Sequence, residues 1–337
     1  MKGRFRYSLE NFRGVAIIFV MLSHISSIYS FDKGGDYLFY LLTNATAWFV
    51  FISGYLFYYL ESEKFEYGKY LIKKLKYVVL PYLILSVPAI IAGLYFSRHV
   101  LYGLTSDQYI AWSLVTGGTV VPPMWFIPMI VIFFLLTPVF NFLSKNKIIY
   151  VFVVCGLVLS IFSSRSVNNT NAFFSFLNFA GFYLLGMVAA KNVAVLDSLS
   201  YAWKSRIIFG SVAIFLLFGF LYPGIESEPV GFLSSLGSLN FLNVGKLAFL
   251  VAIFFIFERY LERKNNILGY LAKISFGLFF IHGFMILIFS RISRDVDFGS
   301  AYARFFSEVA IVVFVSIAVV FLIKVVLGKR SRYVIGC

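Results

Sequence analysis

The feature that most constrains this chain is a succession of apolar runs, each close to twenty residues long. They fall at 9–29, 37–60, 77–97, 124–143, 148–164, 172–190, 207–223, 237–257, 268–290 and 305–327. An α-helix needs about 20 apolar residues to cross the hydrocarbon core of a bilayer. A membrane barrel would instead show segments of roughly ten residues alternating apolar and polar. The sequence therefore predicts an all-α, polytopic membrane bundle of about ten transmembrane helices. Composition closes the soluble alternative: only 13% of residues are charged and 61% are hydrophobic, against about 25% charged in a soluble domain. Segment 98–123 contains TSDQ, TGGT and a Pro-Pro pair, and reads as a loop or short re-entrant piece. No repeat, low-complexity tract or soluble domain interrupts the pattern, so residues 1–337 read as a single domain.

The formal net charge is +14. In a soluble protein that excess would suggest nucleic acid, but here topology accounts for it. With the N-terminus inside, one side collects 22 of the 29 Lys and Arg residues, including Lys2, Arg4, Arg6, Arg13, the Lys64–Lys76 group and Arg330. Moving the span count by one would destroy this asymmetry, so the positive-inside rule predicts an even number of spans with both termini cytoplasmic. Cys155 and Cys337 imply no disulfide framework. The basic start followed by an apolar run superficially resembles a signal peptide. No convincing small-residue cleavage site follows it, and the run carries two polar residues, so it reads as a mature helix.

Those two residues bound the stretch RGVAIIFVMLSH, from Arg13 to His24. On a helix, 11 residues rise about 16 Å and come within roughly 20° of three full turns. Both side chains then share one face. Ionisable groups inside a span normally face the bundle interior or a watery cavity. Each also has an ordinary reading: Arg13 can snorkel to the headgroups, and His24 can sit as a hydrogen-bonded core residue. A fixed cation at the cytoplasmic mouth and a base deeper in suit a long ligand with an anionic head and a reactive tail. Acetyl-CoA has that shape and a comparable length. Arginine binds phosphate oxygens bidentately, and histidine can accept a hydroxyl proton near neutral pH. The rings of like charge that line ion channels are absent. So are metal-ligand spacings and phosphate-binding loops, and no metal or nucleic-acid partner is expected.

LENFRGVAIIFVMLSH resembles the opening signature of the acyltransferase 3 family of membrane acyltransferases. Further stretches agree in order: FVFISGYLFYY (49–59), KKLKYVVLPYL (73–83), MWFIPMIVIFFLLTP (124–138), GFYLLGM (181–187) and ISFGLFFIH (274–282). The resemblance is collinear over about 270 residues. It implies a ten-helix fold in the bacterial inner membrane that moves an acyl group, usually acetyl from acetyl-CoA, to a hydroxyl. The implied acceptors are surface glycans or their lipid-linked precursors, such as O-antigen, capsule or exopolysaccharide. His24 takes the place of the family's essential histidine and Arg13 that of its acyl-CoA-associated arginine. Where the family usually carries arginines before the third span, this chain has Lys74 and Tyr77. Lysine keeps the charge but loses the bidentate fork.

Other candidates follow from position. Glu10 lies one turn before Arg13 and can orient it, or simply favour a helix N-terminus. Ser53, Gly54 and Tyr55 occupy the cytoplasmic half of the second span. There Gly54 would admit a neighbouring helix or the pantetheine arm. Lys73, Lys74 and Lys76, with Lys69, are placed to meet the CoA phosphates, although the positive-inside rule alone also predicts them. His282 is expected at nearly the depth of His24, as a second base, an oxyanion donor or a buried structural group. Trp125, Lys246 and Glu308 lie near the outer face and are candidates for acceptor contacts, with loops 98–123 and 222–236 shaping that side. Two alternatives stay open: a transporter or flippase for a lipid-linked sugar, although paired repeats are not evident, and transfer of another acyl group such as succinyl.

Overall fold

A computed structural model describes residues 5–29, 31, 34–119, 121–165, 169–222, 224 and 239–337. Lys2, Arg4, Lys33 and most of the 222–236 loop lie outside the described residues. Among those described, the regular elements are all helical. In chain order the α-helices are α1 (Tyr7–Ser26), α2 (Gly35–Leu42), α3 (Ala45–Glu61), α4 (Tyr67–Lys74), α5 (Leu80–Tyr95) and α6 (Arg98–Leu101). Next come α7 (Ser106–Thr116), α8 (Phe126–Leu135), α9 (Thr137–Lys145), α10 (Ile149–Ile161), α11 (Ala172–Lys191) and α12 (Val193–Ser198). The last are α13 (Tyr201–Phe220), α14 (Phe241–Tyr260), α15 (Asn266–Ile292), α16 (Ala301–Leu327) and α17 (Ser331–Val334).

Among the described residues, eight helical stretches are long and apolar enough to cross a membrane. They are α1, Gly35–Lys64, Tyr67–Tyr95, α11, α13, α14, α15 and Ala301–Val334. The bent pair α8–α9 makes a ninth if counted as one span. Helix length thus gives eight to nine spans where the sequence predicts ten, and the differences have local causes. The 124–143 run breaks at Leu136 with a 53° bend. Pro138 follows two residues later, and a proline removes a helix N–H and crowds the preceding turn. The Thr137 hydroxyl donates to the Phe134 carbonyl at 2.6 Å in the break. The 148–164 run yields only the 13 residues of α10. At and just past its end the Ser160 and Ser163 carbonyls accept from the amide groups of Asn178, Asn240 and Asn243 at 2.8–3.2 Å. These side chains satisfy carbonyls as the chain leaves the helix.

Two further segments differ in detail. The 98–123 segment, read as a loop or short re-entrant piece, forms no membrane-length helix among its described residues but is partly helical. It carries α6 and α7, and α7 starts with a Thr105–Gln108 capping box. The third span starts ten residues early, at Tyr67, and passes through a π-helical turn at Leu75–Val79. Pro81 lies just beyond that turn and can supply no N–H to it.

Two close helix contacts organise the core. On α1, a Cβ at Gly14 would lie 2.3 Å from the Leu268 carbonyl oxygen of α15. On α3, a Cβ at Gly54 would lie 2.0 Å from the Tyr183 carbonyl oxygen of α11. Only glycine permits such approach, as is common where membrane helices touch without a hydrophobic driving force. Buried Phe12, Trp48, Phe133, Phe179, Phe182 and Phe280 fill the space between the paired helices.

Candidate functional site

The site begins with how α1 is held. The Glu262 carboxylate accepts the Tyr7 and Ser8 backbone N–H groups at 3.3 and 2.9 Å. It so supplies partners for donors that every helix leaves open at its start. Arg6 joins Asp197 at 2.8 Å and also pairs with Glu258, which is buried. The Asn11 amide reaches the Leu261 and Arg263 carbonyls at 2.8 and 2.9 Å. These contacts fix the depth of α1, and Gly14 fixes its distance from α15.

Arg13 consequently faces α15 rather than lipid. Its Nη2 donates to the Ala272 carbonyl at 2.5 Å, while its buried Nε has no protein partner. Glu10, one turn earlier, interacts with it electrostatically. Further along the same two helices, the His24 and His282 rings meet with centroids 5.4 Å apart. Arg13 and His24 therefore meet one helix, at positions ten residues apart on α15.

His282 is fully buried, and its Nδ1 lies 2.8 Å from the Leu278 carbonyl oxygen. A carbonyl accepts only, so Nδ1 carries the proton and the neutral ring keeps its lone pair on Nε2. That Nε2 is buried without a hydrogen-bond partner. His24 lines a narrow cavity of about 40 Å³ with Val20, Thr46, Phe49, Trp125 and Ser275 among its walls. This is room for a few small atoms in largely apolar surroundings. Trp125 is buried, and the guanidinium of Arg165 stands over its ring at 5.2 Å and over Phe179 at 5.7 Å. Arg165 also interacts electrostatically with His24.

A family model described as an acyltransferase domain matches residues 6–325, nearly the whole chain. The chain belongs to the acyltransferase 3 family. Neither the curated proteins nor the solved structures searched contained a match to it. In this acyltransferase the first and last of the family-like stretches lie on α1 and α15, the helices that carry the two facing histidines.

The other candidates separate into groups. Gly54 packs against α11, so its close neighbour is a helix rather than a ligand. The Ser53 hydroxyl donates back to the Phe49 carbonyl at 2.8 Å. Tyr55 is buried, with an unpartnered hydroxyl in the field of Arg6 and Glu258. Lys73 pairs with Glu61 at 3.6 Å, and Lys74 sits between the Tyr70 and Phe134 rings at 5.0 and 4.8 Å. Lys76 is exposed. Lys73 is exposed as well, so of the three only Lys74 is drawn in among aromatic rings.

Lys246 is buried and donates to the Asn243 amide oxygen at 3.1 Å, within the asparagine–serine network beyond α10. Glu308 is also buried and accepts from the Tyr29 hydroxyl. Burial, reinforced by Glu308, pushes the Tyr29 phenol above its ordinary pKa, so it remains a donor. Neither Lys246 nor Glu308 lines the His24 cavity, whereas Trp125 does. Sequence reasoning missed Arg165, which reads as one more outer-loop charge until the fold lays it on Trp125. It also missed Tyr29, whose carboxylate partner is 279 positions away.

Proposed function

We propose that this acyltransferase moves acetyl from cytoplasmic acetyl-CoA to a hydroxyl of a bacterial surface glycan or its lipid-linked precursor. In this reading it works in the inner membrane with both termini cytoplasmic. The observation that carries the reading is the pairing of His24 with His282 at one end of the α1–α15 contact, with Arg13 at the other. Their separation along α1 is about 16 Å, a distance a pantetheine arm can bridge. The CoA phosphates lie towards Arg13 and the exposed basic residues of the same side, Lys76 among them. The narrowness of the His24 cavity favours a two-carbon acyl group over succinyl or longer chains.

In the direct route His24 accepts the proton of the acceptor hydroxyl as its oxygen bonds to the thioester carbon. The tetrahedral intermediate collapses, the C–S bond breaks, and the CoA thiolate leaves with the proton from His24. In the covalent route the His24 nitrogen attacks the thioester carbon first, the C–S bond breaks and CoA leaves as the thiol with the ring proton; the acceptor hydroxyl then attacks the acetyl carbon of acetyl-histidine, the C–N bond breaks, and the hydroxyl proton returns to His24. In either route the unpartnered Nε2 of His282 is an acceptor that orients a hydroxyl or the His24 ring. Arg165 contributes positive charge beside the carbonyl oxygen as it becomes an oxyanion.

The test is chemical. Membranes holding the protein are given acetyl-CoA labelled in the acetyl group, and the cell-envelope glycans are examined by mass spectrometry. Label in an O-acetyl ester, absent from membranes without the protein, supports the reading. Transport of a lipid-linked sugar with no label transferred refutes it.

A further inference from the structure

A second cavity, of about 370 Å³, opens past the C-terminal end of α1, between Tyr29 and the segment 296–304. Its walls include Asp297, Phe298, Ser300 and Arg304. Beneath Tyr29 lies Glu308, 2% exposed, with one carboxylate oxygen taken by the Tyr29 hydroxyl. The other oxygen, Oε1, is buried without a partner. Buried polar atoms are ordinarily hydrogen-bonded, so an orphan of this kind needs an explanation.

Arg304, one turn earlier on α16, attracts Glu308 electrostatically and interacts with the Tyr29 phenol, but makes no hydrogen bond to that oxygen. Its Nη2 makes long contacts of 3.4 Å to the Ser293 carbonyl and hydroxyl, and its buried Nε has no partner. Contacts of that length lie beyond the usual range for N–H···O bonds. Asp297 is fixed by accepting the Gly299 N–H at 2.8 Å, and the Arg304 guanidinium stands 5.7 Å from the Phe298 ring centre.

The chemistry selects the ligand class. The Asp297 carboxylate in the wall, with Glu308 behind Tyr29, disfavours a simple anion, and Arg304 disfavours a simple cation. Charged walls exclude a hydrocarbon chain. A ligand that donates and accepts within a few ångströms, and offers an apolar C–H face to Phe298, satisfies all of them. A neutral polyhydroxylated ring does so. Tyr29 follows His24 by five residues, just past the end of α1 at Ser26, so the cavity lies at the same end of α1 as the histidine pair.

We propose that this cavity is a subsite for a neutral pyranose unit of the acceptor, adjacent to the unit that is acetylated. The proposal rests on the reading of the chain as a glycan O-acetyltransferase. Its test reads binding rather than acetyl transfer. Val296 lines the cavity and is exposed, so a Val296→Cys variant of the full chain gives a reporter there. Labelling of position 296 by a hydrophilic maleimide is followed by peptide mass spectrometry. It is measured with maltotriose, cellotriose, chitotriose, mannotriose or a trimer of galacturonate.

At least one neutral trisaccharide should slow labelling threefold or more, and adding Arg304→Ala should remove the protection. Asp297→Asn, on the loop, should weaken it and serves if the arginine variant does not fold. Labelling unchanged by every neutral saccharide overturns the subsite, as does protection that survives both substitutions or comes from the galacturonate trimer alone. Acetyl transfer is assayed on the same preparations. Protection without transfer counts against the enzymatic reading and leaves the subsite; transfer without protection does the reverse.

Discussion

Replacing Gly14 with alanine adds one methyl group, and the structure fixes where it goes. The new Cβ would lie 2.3 Å from the Leu268 carbonyl oxygen and 3.0 Å from its carbon. Ordinary contact begins at 3.4 Å, so α1 must withdraw from α15 by about 1.1 Å, and both atoms it meets are backbone. That withdrawal acts at the interface holding Arg13 to Ala272 and His24 to His282. A misplacement of about 1 Å can cost on the order of 100-fold in rate, which corresponds to about 2.7 kcal/mol. Alanine otherwise favours a helix over glycine by roughly 0.5–1 kcal/mol, so local helix stability does not explain a loss. The assay is acetyl transfer by detergent-purified protein, with monodispersity and thermal midpoint measured alongside. Gly210→Ala is the control, since nothing lies within 4 Å of a Cβ there. Activity of Gly14→Ala within threefold of wild type, in a folded protein, would refute the claim that this contact sets the site.

Other substitutions probe single links. Arg13→Ala should raise KM for acetyl-CoA at least tenfold with a smaller change in kcat, and Arg13→Lys should restore little, because lysine lacks the planar fork; donor titrations decide this. His282→Asn should retain more activity than His282→Ala if its role is to accept a hydrogen bond, and initial rates on the two variants separate the cases. Arg165→Ala should lower kcat with little change in donor KM, whereas Arg165→Lys should recover part of the loss; equal kcat in all three proteins removes Arg165 from the site. Arg6→Ala leaves the buried Glu258 without its cation. Its cost should be about 3 kcal/mol in stability, measurable as a lower unfolding midpoint with no change in substrate specificity.

The parts of the fold set by local periodicity were legible in the sequence. Apolar runs of membrane-spanning length mark most of the long helices, and the 3.6-residue repeat puts Arg13 and His24 on one face. In the structure both residues meet α15. What could not be read depends on partners distant in sequence. The kink at Leu136 has a local proline, but α10 gives way where asparagines from α11 and α14 bond the carbonyls at and just past its end. Lys74 reads either as a phosphate contact or as a positive-inside charge, and its place between Tyr70 and Phe134 carries no sequence signal. Gly54 reads first as a helix contact and then as a ligand contact, and the helix it meets, through the Tyr183 backbone of α11, is not visible in the sequence. Arg165 and Glu308 carry no local pattern at all. Their meaning comes from Trp125 and Tyr29, brought to them by tertiary structure.

The central claim is that His24 carries the acyl-transfer chemistry. The most direct measurement is transfer of labelled acetyl from acetyl-CoA by purified wild type and by His24→Ala, each checked for monodispersity and for binding of acetyl-CoA. The account predicts that His24→Ala binds the donor with affinity within a few-fold of wild type and transfers no acetyl above background. Transfer at the wild-type rate by the folded variant would contradict it.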